Sequence, residues 1–372
     1  MKTMEMSSVF LLLLSLVVCT IFIFSSLCRS GQRLKDGIVG REIGAFCESL
    51  GYRPDSVPKE KVFSRRYREE PLCVFWEAGQ VLEAYFVLDI LLKEYPAAVY
   101  WIDGVKPEDL DRDDRTLEDI CKHSLLVTNS EETSILNSLI ILQEQGFVNR
   151  GVFLLSDEGC SKHCRNITRP FADYIIRNYW CEAMNTHKDA YYVPLGYASP
   201  FTEPGENAIL PCPFRRFTAS FKGSLKADRS LFIGYLKNSS IYNESRFLIQ
   251  TTKDFHQGDP AYQFRGLLLN SQIAPCPAGN NPEQFRIWEA LSTASIPILQ
   301  RGETFSKLPA NHPLIIVDNV KEMVRKIEWL SNEPLEMTKA QCTTFLWWLS
   351  YKKTLQRQIV ELILNGRHLQ WQ

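Results

Sequence analysis

Short apolar runs that alternate with helical patterns constrain the fold of this chain more than any other feature. Runs of strand length are bounded by turn residues or helix caps. The predicted strands are 97–103, 123–129, 151–157, 190–196, 217–223, 271–277, 295–300 and 312–319. The predicted helices are 80–94, 133–145, 169–178, 284–293, 320–330 and 337–364. This alternation predicts βαβ units and therefore an α/β fold with parallel sheets.

The length of 372 residues predicts about two domains. The clearest boundary lies in residues 199–214, which hold four prolines and show no sustained periodicity. The chain therefore divides into a tail, an apolar segment, a stem, an N-terminal domain, a linker, a C-terminal domain and a final helical region that packs back on the domains. The predicted bounds are 1–8, 9–27, 28–61, 62–200, 201–216, 217–336 and 337–372.

Charge excludes one class of partner. The 42 basic and 43 acidic residues give a net charge of −1, without the excess of positive charge that neutralises phosphates of nucleic acids. We therefore expect no nucleic-acid partner.

The uncharged run Val9–Leu27 predicts a transmembrane helix. Its 19 residues would span roughly 28 Å as a helix, enough for one membrane crossing. A cleavable signal peptide is the alternative, but its apolar region is usually shorter. Basic residues on both sides of the run, Lys2 before it and Arg29 after it, leave the orientation to other features.

Sequons and cysteines favour an oxidising lumen for the body of the protein. Asn166, Asn238 and Asn243 each begin a glycosylation sequon. Nine of the 11 cysteines lie in the body beyond Cys28, a density typical of oxidising compartments, and this odd number leaves at least one thiol free.

The segment 271–300 reads as strand, loop, helix and strand, and it holds the main candidate binding residues. Asn281 is the predicted N-cap of its helix, and Gly279 lets the backbone approach a ligand such as a diphosphate closely. Arg286 and Glu289 are three residues apart and share one helical face. The alternative for this pair is an ordinary solvated ion pair.

Two metal sites are also formally possible. Glu158, Cys160, His163 and Cys164 offer zinc ligands, although in an oxidising lumen we expect each of the two cysteines to pair with a distant cysteine instead. The D-x-D strings within residues 109–113 lie in a charged run that reads as a solvated loop. We therefore predict no metal site.

Several strings together resemble a known family. PCPAG, EQFRIWEAL and SIPIL, in residues 275–299, resemble the donor site of the exostosin-type glycosyltransferases, which are type II membrane enzymes of the secretory pathway with a GT-B fold. FKGS at 221–224 with Arg229, and PLGY at 194–197, resemble strand ends of the two domains in that family. LLSDEGC and YYVPLGYASPF are similar to the ribitol xylosyltransferases of the family, and the likeness covers about residues 148–300.

This resemblance implies two Rossmann-like domains that face a cleft, with a UDP-sugar, best UDP-xylose, bound by the second domain. It implies that Arg286 faces the diphosphate and that Glu289 binds the ribose hydroxyls. The other donor-binding residues would be Gly223, Lys226, Arg229 and Gly279. The acceptor would be a glycan such as ribitol phosphate on a glycoprotein, in the Golgi lumen, and no metal or other cofactor would be required.

The family inverts the anomeric centre, so a base must take the proton of the acceptor hydroxyl. Glu158 is the first candidate and Asp157 the second, because both follow the strand 151–157 at the end where open α/β sheets place ligands. Asp103, also at a strand end, is a further candidate, and a helix-capping role for the pair 157–158 stays open. The alternative function is a membrane-tethered protein that binds sugars or forms complexes without catalysis.

Overall fold

Two parallel β-sheets form the core of the protein, as the alternation in the sequence predicts. The structure is a computed structural model. It describes residues 43–52, 71–77, 82–93, 95, 97–102, 121–161, 171–199, 201–253 and 261–366. The apolar run 9–27, Asp103, Asn166 and the D-x-D strings lie outside these residues. Within them, no helix combines the length and apolarity needed to cross a membrane.

The N-terminal sheet has six strands, all parallel, in the order β2-β1-β3-β4-β5-β6. They are β1 (Leu72–Glu77), β2 (Ala97–Ile102), β3 (His123–Thr128), β4 (Asn149–Leu154), β5 (Tyr174–Arg177) and β6 (Ala190–Tyr192). The helices of this half are α1 (Ile43–Ser49), α2 (Glu132–Glu144) and a π-helical segment, Tyr85–Leu91. Every residue of β3 and β5 is buried, because helices and loops cover both faces of the sheet.

The C-terminal sheet has five strands, again all parallel, in the order β11-β10-β9-β7-β8. They are β7 (Phe217–Ser224), β8 (Phe247–Thr252), β9 (Ser271–Cys276), β10 (Ile296–Gln300) and β11 (Ile315–Val317). The helices are α3 (Arg229–Lys237), α4 (Ala261–Leu269), α5 (Phe285–Ser292), α6 (Val320–Asn332) and α7 (Pro334–Asn365).

Helix α7 holds the two halves together. Near its start Gln341 accepts a hydrogen bond from the Cys212 amide at 2.7 Å, in the C-terminal half. Further along, the Trp348 indole donates to the Tyr197 hydroxyl at 2.8 Å, and Gln356 donates to the Ile90 carbonyl at 2.7 Å, both in the N-terminal half. One 32-residue helix therefore packs on both sheets and fixes the cleft between them.

Three segments differ from the sequence-based expectation. Residues 43–52, expected to be part of an unstructured stem, include α1, whose Cys47 is buried and forms a disulfide with Cys342 of α7. The expected linker 201–216 is packed, and its buried Arg215 donates to the Ser271 and Thr293 carbonyls at 2.7 Å each. The predicted helix 169–178 is wrong in its described part, since Tyr174–Arg177 is strand β5.

Two further disulfides join Cys73 to Cys121 and Cys160 to Cys181. Cys160 therefore pairs with a distant cysteine, as expected. Cys212 and Cys276 are free and buried. His163 and Cys164 lie outside the described residues.

Candidate active site

A cleft of about 380 Å³ lies between the carboxyl ends of the two sheets. Its walls come from residues after β4, β5 and β6 on one side, and from residues at or after the carboxyl ends of β7, β8 and β9 on the other. Open α/β sheets place ligands at this end of their strands. The cleft brings together seven residues that the sequence singled out, Glu158, Gly223, Lys226, Arg229, Gly279, Arg286 and Glu289.

Arg286 lies deep in the cleft, and most of its hydrogen-bonding capacity is unused. Its Nη2 donates to the Lys222 carbonyl, and its guanidinium lies 4.5 Å from the centre of the Phe221 ring. Nε and Nη1 are buried and have no hydrogen-bond partner in the described part of the chain. Burial lowers the pKa of Arg286 to about 10, so the side chain stays charged at neutral pH. A buried cation with two unpaired donors is suited to an anionic ligand.

Arg229 brings a second guanidinium to the same wall of the cleft. It donates to the Gln284 side chain at 2.8 Å and to the Ser224 carbonyl at 3.2 Å. Burial lowers the pKa of Arg229. Lys226, in the turn after β7, is exposed and lines the same wall. This half of the cleft is therefore rich in positive charge.

The two glycines make room for these guanidinium groups. A Cβ atom at Gly223 would lie 2.8 Å from Nη2 of Arg286, and one at Gly279 would lie 2.6 Å from Nη2 of Arg229. Both distances are shorter than real Cβ contacts, so any larger residue would displace an arginine. The sequence predicted that Gly279 allows close approach of the backbone, and here the approaching group is an arginine side chain.

Glu289 lies one turn after Arg286 on α5 and lines the cleft as well. Its Oε1 accepts a hydrogen bond from the Ala198 amide of the N-terminal half at 3.2 Å. Burial raises the pKa of Glu289 to about 7. The two side chains share one face of the helix, as their spacing predicts, but the pair lies in the cleft rather than in solvent.

The start of α5 differs from the prediction. Asn281 is not the N-cap: the helix begins at Phe285, and Gln284 is in the capping position without a capping hydrogen bond from its side chain. Asn281 instead accepts from the Glu283 amide at 2.9 Å and donates to the Glu158 carbonyl across the cleft at 2.9 Å. The residue thus bridges the two halves rather than starting the helix.

Glu283, which the sequence reading missed, is a buried carboxylate at the seam between the halves. It accepts hydrogen bonds from the Tyr192 hydroxyl and the Leu195 amide, both at 2.8 Å, and from the Tyr179 amide at 3.0 Å. Burial raises its pKa to about 7. Its position one residue before Gln284 in the quoted donor-site string was the only signal that could have drawn attention to it.

The structure separates the two candidate bases. Glu158 is exposed and lines the cleft. Asp157 is buried and does not line it. Its Oδ2 forms an ion pair with the buried Arg177 at 3.1 Å, and its Oδ1 accepts two hydrogen bonds from Ser161. We infer that Asp157 shapes the loop that presents Glu158, because a carboxylate held by these partners cannot reach an acceptor in the cleft.

The other predicted sites are on the surface or undetermined. Asn238 and Asn243 are exposed, so a glycan can reach both, whereas Asn166 lies outside the described residues. In the described ranges, no group of three or more His, Cys, Asp and Glu side chains is arranged to hold a metal ion.

The C-terminal half matches a known family model. Residues 206–367 match the RXYLT1 C-terminal domain, so the match includes β7 to β11 and all the arginines of the cleft. No curated protein gives a significant match.

Solved structures share the fold. Anabaena Alr3699/HepE in complex with UDP-glucose is similar with a TM-score of 0.50 at 12% identity, over 79% of this chain and 99% of that one. An α1,3-fucosyltransferase (TM-score 0.41, 12% identity, 86% and 96% covered) and T4 phage BGT in complex with UDP and Mn²⁺ (0.42, 10%, 80% and 100%) are more distantly similar. The protein thus has an α/β, GT-B-like fold.

Proposed function

We propose that this protein is a glycosyltransferase that binds a UDP-sugar in the cleft and transfers the sugar to a glycan acceptor. The observation that carries the proposal is Arg286, a buried cation with two nitrogens that need an anionic partner. A diphosphate fits this position, because Arg229 lies on the same wall and the amides at the start of α5 lie beside it. The family match to residues 206–367 and the fold shared with HepE, whose structure holds UDP-glucose, support it.

In the proposed reaction the acceptor oxygen attacks C1 of the sugar, the bond from C1 to the diphosphate breaks, and UDP leaves with the electron pair. Arg286, Arg229 and Lys226 stabilise the charge on the leaving diphosphate. Glu158 takes the proton from the acceptor hydroxyl, and attack from the opposite face inverts C1. No metal is part of this proposal, since three cationic side chains supply the positive charge, and we expect EDTA to leave transfer unchanged.

The finer assignment rests on the sequence resemblance. We propose xylose from UDP-xylose as the donor sugar and ribitol phosphate on a glycoprotein as the acceptor. We also propose that residues 9–27 anchor the chain in the Golgi membrane with its body in the lumen. The exposed sequons at Asn238 and Asn243 and the three disulfides favour an oxidising, glycosylating compartment.

A panel of nucleotide sugars tests the proposal on the full-length chain in detergent. We expect UDP-xylose and UDP to raise the unfolding temperature by mass action, and UDP to be released when ribitol 5-phosphate is added. The parent is compared with Arg286→Met, because this variant lacks the guanidinium that is proposed to bind the diphosphate. Binding of a glycan without release of UDP would favour the alternative, a sugar-binding protein without turnover. No stabilisation by any nucleotide sugar would refute both the donor site and the activity.

A further inference from the structure

A buried carboxylate lies behind the wall of the cleft that faces the donor side. Glu83 is 1% exposed and precedes the π-helical segment 85–91. Its Oε1 accepts a hydrogen bond from the hydroxyl of Ser156, which lines the cleft two residues after β4 ends. A carboxylate in this position is costly to bury, and burial raises its pKa. The fold thus buries a carboxylate at a cost in free energy, and the side chain of this carboxylate is hydrogen-bonded to a residue of the cleft.

The backbone around Ser156 is held in an uncommon conformation. Ser156 has φ of 55°, and Cys160 and Tyr179 on the same rim have φ of 51° and 52°. Residues other than glycine rarely adopt these angles, and such strain collects at functional sites. The disulfide between Cys160 and Cys181 fixes the loop after Ser156 to the segment after Tyr179. Ser156 is therefore presented to the cleft by a rim that is braced on both sides.

The segment before Glu83 is braced in the same way. The Ser199 amide donates to the Leu82 carbonyl at 2.6 Å, and the Tyr85 amide donates to the Ser199 hydroxyl at 3.0 Å. Leu82 and Ser199 both line the cleft beside Ser156. Ser156 is consequently part of the cleft wall, and Glu83 lies directly behind it.

The hydrogen bond to Glu83 decides what Ser156 offers a ligand. A serine hydroxyl has one hydrogen to donate and two lone pairs to accept with. While its hydrogen is directed at the carboxylate of Glu83, its oxygen can only accept a hydrogen bond from the cleft. A phosphate oxygen has no hydrogen to give, whereas a sugar or polyol hydroxyl has one. This wall therefore selects a hydroxyl group, in contrast to the cationic wall opposite.

We propose that Ser156 is a binding subsite for a hydroxyl group of the acceptor, a polyol or sugar, and that Glu83 is its positioning residue. This inference rests on the proposed function. It adds a contact to an acceptor hydroxyl, beside Glu158, which takes the proton in that proposal. Other charged or titratable groups near Glu83 are Glu158 and the buried Tyr179.

The test is a double-mutant cycle on the full-length chain, with UDP-xylose as donor and ribitol 5-phosphate as acceptor. We expect Ser156→Ala to raise KM for the acceptor about two- to tenfold, the value of one hydrogen bond, with the affinity for UDP unchanged. Glu83→Gln should raise the same KM, because an amide that donates to Ser156 turns the serine hydrogen toward the cleft, where it meets the hydrogen of an acceptor hydroxyl that is placed to donate. In the Ser156→Ala background Glu83→Gln should have no further effect on KM, since it acts through Ser156.

A matched control exists in the same sheet. The Ser130 hydroxyl donates to Glu77 at 2.9 Å, and neither residue lines the cleft. Ser130→Ala should leave the KM for the acceptor and the KM for UDP-xylose equal to those of the parent. Ribitol phosphates that each lack one hydroxyl give a second measurement: one of them should bind the parent weakly and be insensitive to Ser156→Ala.

The outcomes separate this inference from the proposed function. The subsite is refuted, while the activity stands, if the parent transfers xylose but Ser156→Ala leaves KM for the acceptor unchanged. It is refuted as well if the effects of Ser156→Ala and of each deoxy acceptor on KM simply add. If UDP does not stabilise the parent and no transfer occurs, the proposed function fails and this inference fails with it. If Ser156→Ala does not fold, the deoxy series compared between the parent and Glu83→Gln decides the question in the same way.

Discussion

Replacement of Arg286 by methionine should separate ligand binding from stability, and Arg215 provides a matched comparison. Burial lowers the pKa of both arginines to about 10. The guanidinium of Arg215 has five hydrogen bonds, to the carbonyls of 210, 268, 271 and 293 and to the hydroxyl of 295. Within the described residues Arg286 has one, to Lys222, besides its contacts with the Phe221 and Phe264 rings. In the described part of the chain, each nitrogen of the Arg215 guanidinium is therefore hydrogen-bonded, whereas Nε and Nη1 of Arg286 have no partner.

In the ligand-free protein, the free energy that Arg286→Met gains by removing a buried charge nearly equals the free energy that it loses with the contacts of the guanidinium. A pKa that falls from 12.5 to about 10 corresponds to roughly 3 kcal/mol of destabilisation of the charged form, which methionine removes. The variant loses one hydrogen bond and two cation–π contacts, with the Phe221 and Phe264 rings, together about 2 to 4 kcal/mol. We therefore expect the free energy of unfolding to stay within about 1 kcal/mol of the parent. Arg215→Met should instead lose about 3 kcal/mol or more, because it leaves several buried carbonyls unpaired.

Ligand binding should respond in the opposite way. Two charge-assisted hydrogen bonds at about 1.5 to 3 kcal/mol each imply a loss of affinity for UDP of at least about 100-fold. At a UDP concentration of 100 times the parental Kd, stabilisation by UDP should fall from about 2.7 to about 0.4 kcal/mol. Thermal unfolding of both variants with and without UDP measures all four quantities. A large loss of stability in ligand-free Arg286→Met, with stabilisation by UDP retained, would show that the arginine is structural and refute the reasoning.

The remaining predictions concern four other parts of the chain. Glu289→Ala should weaken UDP binding by about ten- to a hundredfold in calorimetry while the fold survives; parental affinity would leave the residue without a ligand role. Glu158→Gln should lower kcat by about 10² to 10⁴ with donor affinity intact, and near-parental turnover would move the base elsewhere. The pKa of Glu283 is about 7 in the folded chain against an ordinary 4.5, so between these pH values the folded chain binds more protons than the unfolded chain. The free energy of unfolding should therefore fall as pH rises from 4.5 to 7, by up to about 1.4 kcal/mol per pH unit. In urea titrations, the free energy of unfolding of Glu283→Gln should fall less steeply over the same pH range. Replacement of Asn238 and Asn243 together should remove glycosidase-sensitive mass from the secretory-pathway protein, and an unchanged gel mobility would contradict a luminal body.

The sequence predicts the fold class because most strands are apolar runs of strand length, separated from one another by helical patterns. Three strands were not predicted: β1, although LCVFWE is an apolar run of strand length, and β5 and β8, each for a physical reason. Tyr174–Arg177 is so fully buried that no alternation marks it as a strand, and a short apolar run of this kind is equally compatible with a helix. Strand β8 (Phe247–Thr252) was missed for a different reason. It lies at the edge of its sheet and ends in polar residues, so its sequence contains no apolar run of strand length.

Only part of the site could be predicted, for a related reason. Arg286 and Glu289 lie three residues apart on one helix, so local geometry alone puts them together. Glu83 and Ser156 are 73 residues apart and meet only because of the order of strands in the sheet, which no local pattern specifies. The N-cap prediction at Asn281 failed because the helix begins only at Phe285, and the Asn281 side-chain oxygen accepts from the Glu283 amide in the loop before it.

This difference between the two walls of the cleft has a consequence for specificity. The donor wall is built around one continuous segment, 271–300, together with the turn after β7, and its glycines admit no larger side chain without displacing an arginine. The acceptor wall is assembled from loops that follow β4, β5 and β6 and from the segment before the π-helix, and these loops are braced by a disulfide and by backbone hydrogen bonds rather than by the sheet itself. A substitution in these loops can therefore change which hydroxyl is bound without disturbing a strand or a guanidinium. If the proposed function is right, the choice of acceptor depends on Ser156, Glu158 and their neighbours, whereas the choice of nucleotide depends on the opposite wall.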